Sequence, residues 1–129
     1  MNIKEFIAND RFAELLGIEL LEASQGSAKA QLEIKDEHLN GVGIAQGGAI
    51  FSLADLAFAA AANSRGNIAL AINANISFLQ PATKGMLYAE AIEISMNHKI
   101  ASYTVNVRNS NKELIACYQG MAYRKKEKI

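Results

Sequence analysis

One aspartate and a pair of glycines are the residues of this sequence whose types and spacing can do chemistry. In the stretch GIAQGGAIFSLADLAFAAAANS, residues 43–64, Asp55 is the sole formal charge, and from Gly66 to Thr83 there is none. From Gly47 or Gly48 to Asn63 the pattern is helical: long, alanine-rich, free of proline, with Asn63 and Gly66 as the stop. On that helix Asp55 shares a face with Phe51, Ser52, Phe58 and Ala59, and Ala62 continues the line. Ile50, Leu53, Ala54, Ala57 and Ala61 point the other way, toward a sheet. A carboxylate on a second apolar stripe is expected to be covered by another subunit, where burial raises the pKa of a group that must handle protons. The plainer alternative is a satisfied polar group, bonded to Ser52 or a backbone amide.

Gly47 and Gly48 open the same helix. A helix N-terminus has free N–H groups and a partial positive charge, and glycine lets a ligand approach closely. Negative charge developing on a carbonyl oxygen would be stabilised there, and Asn40 and Gln46 supply amide side chains just upstream. Plain turn chemistry is the competing explanation for a Gly-Gly pair. Eight residues of helix, about 12 Å of axis, separate Gly47 from Asp55, so one carbonyl carbon cannot reach both within a chain. If the two share a substrate, they come from different subunits.

The elements that must position these residues follow from periodicity. Residues 2–16 read as helix in one or two pieces, ended by Gly17. Two strands, Ile18–Glu22 and Ser27–Ile34, precede the Asn- and Gly-rich loop KDEHLNGVGIAQGG. After the long helix come four strands, at Ala69–Leu79, Leu87–Met96, Ile100–Arg108 and Leu114–Tyr123, the last running into a charged tail, RKKEKI. Ala101, Tyr103, Val105 and Val107 alternate with polar residues, which implies an antiparallel sheet with one apolar face. The order is that of an α+β domain in which one sheet covers one very apolar helix.

Composition bounds the partners. With 129 residues the chain is long enough for one domain, 1–129. Half of it is apolar, a fifth is charged and the net charge is zero, which gives no electrostatic reason for nucleic acid or an acidic membrane as partner and favours self-association. The long helix is no membrane span, since Gln46, Ser52 and Asp55 interrupt it. The opening MNIKEFIANDRF does not read as a signal peptide, so a cytoplasmic location is expected. Cys117 is single, in an apolar run, and reads as a buried free thiol. His38 and His98 stand sixty residues apart, away from other ligand types, so no metal site is expected.

The run NGVGIAQGGAIFSLADLAFAAAANS, followed by NISFLQPATKG, resembles the hotdog-fold acyl-CoA thioesterases, in the phenylacetate-degradation (PaaI-type) subgroup. That resemblance implies an antiparallel sheet wrapped round one central helix, dimers that pair into tetramers, and hydrolysis of acyl- or aryl-CoA thioesters without a further cofactor. It assigns Asp55 as general base or nucleophile, the Gly47 N–H as the group that polarises the thioester carbonyl, and Asn40 as the residue that positions nucleophile or water. Gln46, Gly48, Asn75 (which heads the second run) and Lys99 are implied as substrate contacts, Lys99 toward coenzyme A phosphates. Gln46 stands where the family usually has histidine, and Gln80 where it often has arginine. Two further activities compete: a non-catalytic acyl-CoA binder, and a hotdog dehydratase of β-hydroxyacyl thioesters. The absence of histidine at position 46 argues against the dehydratase.

Overall fold

The computed structural model describes residues 1–129. Two short helices lead the chain, α1 (Ile3–Ile7) and α2 (Arg11–Leu16). Asn2 and Glu5 cap α1 reciprocally, Asp10 caps α2, and Gly17 closes α2 in the left-handed conformation at φ 84°. The split into two helices follows from Asp10, whose carboxylate takes the Ala13 N–H and starts a new helix. Strands β1 (Glu19–Ser24) and β2 (Ser27–Ile34) form a hairpin across Gln25-Gly26, both at positive φ. A short 3-10 turn at Asp36–His38 leads into α3 (Gly47–Asn63). Four strands follow: β3 (Asn67–Phe78), β4 (Gly85–Met96), β5 (Ile100–Asn109) and β6 (Leu114–Lys128).

All six strands make one antiparallel sheet in the order β1-β2-β4-β5-β6-β3. Helix α3 connects β2 near one edge with β3 at the other, so it must cross the whole sheet, and the sheet curls round it. Small residues make that closeness possible. Ala28, Ala30, Ala89, Ala91, Ala101 and Ala122 on the sheet meet Ala54, Ala57, Ala60 and Ala61 on the helix, all buried. At Gly120 a side chain is excluded outright, because a Cβ there would lie 2.7 Å from the Phe58 ring.

Eleven of the 17 residues of α3 are buried, including Ile50, Leu53, Ala54, Ala57 and Ala61 as expected. The second stripe is narrower than the helical wheel implies. Phe58 and Ala62 are in the core, Phe58 wedged between Tyr103 and Tyr118, which leaves Phe51, Ser52, Asp55 and Ala59 partly open. At its far end α3 is stapled by buried Asn63, which donates to Ala59 O and Ala69 O and accepts from Ala69 N.

Two expectations need correction. The charged tail does not leave the sheet: β6 continues to Lys128, which pairs with Asn67. Cys117 is not a core thiol. Strand parity sends Ala116, Tyr118, Gly120 and Ala122 inward, so Cys117 faces out, half-buried, with its thiol 3.5 Å from Asn106 Oδ1. No helix is long and apolar enough to cross a membrane.

Candidate active site

The loop before α3 is pinned by its own side chains. Asn40 Oδ1 accepts from Val42 N at 3.0 Å and Ile44 N at 3.2 Å, which orients the amide and leaves its NH2 group without a partner in the chain. Ala45 N donates to Ala82 O and Gln46 N to His38 O, both at 2.7 Å. Buried His38 is itself fully used: Nδ1 accepts from Lys35 N and Nε2 donates to Leu16 O at 2.8 Å. That arrangement ties the loop to the end of α2 and makes the histidine structural.

Gln46 is the N-cap of α3. Its side-chain oxygen accepts from the Gly48 N–H, and its carbonyl accepts from Ala49 N and Ile50 N. A Cβ at Gly48 would crowd the capping oxygen of Gln46. Of the first-turn amides, only that of Gly47 has no partner in the chain. Gly47 lines a cleft of about 470 Å³ whose walls include Asn40, Ile50, Phe78, Gln80 and Pro81. Asn40 and Gly47 are thus brought together, as the sequence reading expects.

Asp55 is elsewhere. It lines a separate cleft of about 240 Å³ with Asp10, Phe12, Ala13, Ile18, Phe51, Ser52 and Leu56. Its partner is neither Ser52, which donates to Gly48 O at 2.7 Å, nor a backbone amide. Tyr118 donates to Asp55 Oδ1 at 2.6 Å, and no other donor of the chain reaches the carboxylate. Burial first, then the bond to Asp55 and its charge, push the Tyr118 phenol far above its ordinary pKa, so it stays a donor. Sequence reasoning missed Tyr118. The signal was the inward alternation of β6 beneath a helix with one mid-length carboxylate, since a buried phenol needs a partner.

The remaining candidates lie apart from both clefts. Asn75 is on the outer face of the sheet, in register with Gln119 and beside Asn73 and Thr104, because neighbouring Ile76 takes the inward position opposite Tyr118. Lys99 is exposed in the β4–β5 turn, at the end of the sheet where α3 finishes rather than where Gly47 stands. Asn97 shapes that turn by accepting from Lys99 N and Ile100 N. A second polar cluster sits at this end: Arg65 grips Glu93 through two bonds, at 2.8 and 3.1 Å, and Tyr103 donates to Glu93 at 2.8 Å. The Arg65 bonds hold the Glu93 carboxyl below its usual range. No three His, Cys, Asp or Glu side chains converge in a way that could hold a metal ion.

A curled antiparallel sheet wrapped round one long helix is the hotdog fold, the fold of a class of thioester hydrolases. The chain belongs to the thioesterase superfamily, whose family model matches residues 42–116, and to its PaaI-like branch. It is 33% identical over 124 residues to the acyl-coenzyme A thioesterase PaaI of Escherichia coli strain K12, covering 95% of this chain and 89% of the relative. A protein of Archaeoglobus fulgidus is 45% identical over 127 residues, covering 97% and 82%. The solved structure of the E. coli PaaI protein from the phenylacetic acid degradation operon matches with a TM-score of 0.95 at 32% identity, over 99% of this chain and 94% of that one. The TT0310 protein of Thermus thermophilus matches with a TM-score of 0.86 at 35% identity, over 91% and 99%.

Proposed function

We propose that this chain is an acyl-CoA thioesterase, releasing free acid and coenzyme A from aryl- or medium-chain acyl-CoA esters, with no further cofactor. One observation carries the reading: α3 bears two groups without a hydrogen-bond partner in the chain, the N–H of Gly47, which lines the Asn40 cleft, and the Oδ2 of Asp55, which lines the Phe51 cleft. The thioester carbonyl oxygen takes the Gly47 N–H, where the helix dipole also favours the negative charge of the tetrahedral intermediate. The carboxylate comes from Asp55 of the partner subunit, because about 12 Å of helix axis separates the two groups within one chain. It takes a proton from the water that attacks the carbonyl carbon, or attacks that carbon itself to form a mixed anhydride that water then hydrolyses. Collapse of the intermediate expels coenzyme A as the thiolate, which takes up the proton released from water. The free NH2 of Asn40 is placed to hold that water or the thioester. The E. coli relative supports coenzyme A as the leaving group. The apolar walls of the Asp55 cleft (Phe12, Ala13, Ile18, Phe51 and Leu56) support a compact aryl or acyl group.

Assembly as a homodimer or homotetramer is part of the same reading. β3 is a 12-residue edge strand carrying exposed Leu70 and Ile72, and such an edge pairs readily with a second copy. Antiparallel pairing of two β3 edges sets the Gly47 end of one sheet beside the opposite end of the partner's sheet, the end that bears Lys99. The reading treats residues 1–129 as one cytoplasmic hotdog domain.

Purified protein assayed against a panel of acyl-CoA esters, with detection of free thiol, tests the proposal. Release of coenzyme A that Asp55→Asn abolishes is the expected result. Binding without turnover would favour a passive acyl-CoA binder, and hydration of an enoyl-CoA a dehydratase.

A further inference from the structure

The geometry points to Tyr118 as a positioning residue that decides which oxygen of Asp55 meets the thioester, an inference that rests on the thioesterase reading above. Tyr118 Oη lies 2.6 Å from Asp55 Oδ1, and the tyrosine is wholly buried. Its ring cannot swing away. Phe51 meets it edge-on at 5.4 Å between centroids, Phe58 packs on it at 5.7 Å, and Phe58 itself occupies the space that Gly120 leaves. The backbone is held from both sides, with Tyr118 in register between Val105 and Ile76. The hydroxyl is therefore fixed to the sheet, whereas the carboxylate stands on the helix with two torsions of its own.

An aspartate without such a donor turns about its last torsion and offers either oxygen. With Oδ1 taken from the core side, Oδ2 is left to the cleft, and nothing else in the chain competes for it. The phenol remains protonated throughout the neutral range and acts as donor only. Tyr118 thus touches neither substrate nor reacting atom. Its contribution is orientation, held before the substrate arrives, which counts toward the chemical step rather than toward binding.

Tyr118→Phe tests this with the ring packing intact. The expected result is a fall of at least about tenfold in kcat, the size of one charge-assisted hydrogen bond, with KM near that of the parent and a lower Tm, since the Asp55 carboxylate loses its one partner in the chain. On the residual turnover that Asp55→Asn retains, measured at high enzyme concentration, the same change should give no further fall, because a residue acting through the carboxylate has nothing left to orient. Crystals of Tyr118→Phe should show the carboxylate in more than one rotamer. The inference is overturned by an unchanged kcat alongside an inactive Asp55→Asn, by an equal fall in both backgrounds, or by a single parental rotamer. Parental turnover in Asp55→Asn would instead overturn the thioesterase reading of Asp55, and this inference with it.

Discussion

Replacing Gly47 by proline exchanges the one free amide hydrogen of the proposed site for a ring carbon. Gly47 is the first residue of α3, where proline's fixed φ is already that of the helix, and its N–H has no partner to lose. Gln46 before it sits at φ −66° and ψ 137°, in the extended region that a residue preceding proline prefers. The new ring meets Phe78, whose Cζ lies 3.0 Å from the position of an added Cβ. Phe78 is half-exposed at the sheet edge and can give way, at about 1 kcal/mol, the low end of what overpacking costs. Gly47→Ala makes the same contact and keeps the amide, which makes it the control. Loss of one oxyanion donor costs about 2.7–4 kcal/mol, or about 10²–10³ in kcat. Coenzyme A release at saturating acyl-CoA, with Tm and sedimentation run alongside, should therefore show proline at least about a hundredfold below alanine while both stay folded and associated. A proline variant within about threefold of the alanine variant, a difference well under 1 kcal/mol, would refute the role of the Gly47 amide.

Other outcomes follow from the same geometry. Equal amounts of Gly47→Pro and Asp55→Asn chains, each inactive, should recover about a quarter of parental activity on subunit exchange, since half the dimers are mixed and each has one intact site. Activity that stays absent in proven mixed dimers would contradict the shared site. Gln46→Ala removes the cap on Gly48 and should lower stability by about 0.5–2 kcal/mol, read as a Tm shift, with a smaller change in kcat. Glu93→Gln should destabilise the protein at neutral pH by about 1–3 kcal/mol, because it breaks the bonds to Arg65. The folded carboxyl titrates below its reference value of 4.5, so its contribution is full above that pH and fades as pH falls through the lowered value. Denaturant titrations of parent and variant should therefore converge in acid, and a gap that persists there would count against the ion pair.

Much of this protein was legible in the sequence wherever the signal lies within one element. Alternation of small apolar and polar residues set β2 at Ser27–Ile34, and the proline-free run between Gly47 and Asn63 set α3, both with the bounds the structure has. The isolated charge of Asp55 and the distance from Gly47 also needed no coordinates, because rise per residue is a property of the helix alone. Tertiary structure decided what depends on contacts far apart in the chain. Tyr118 meets Asp55 across 63 residues, and only sheet register brings it beneath that turn of α3. Phe58 enters the core rather than the open stripe because Gly120, on the strand opposite, leaves room for its ring. Asn75 turns outward because the partner of Ile76 is an inward tyrosine, and the tail stays in the sheet because Asn67 is there to pair with it. Period and propensity are local, whereas register, which chooses the face each strand residue takes, is set by the packing of the whole sheet against its helix.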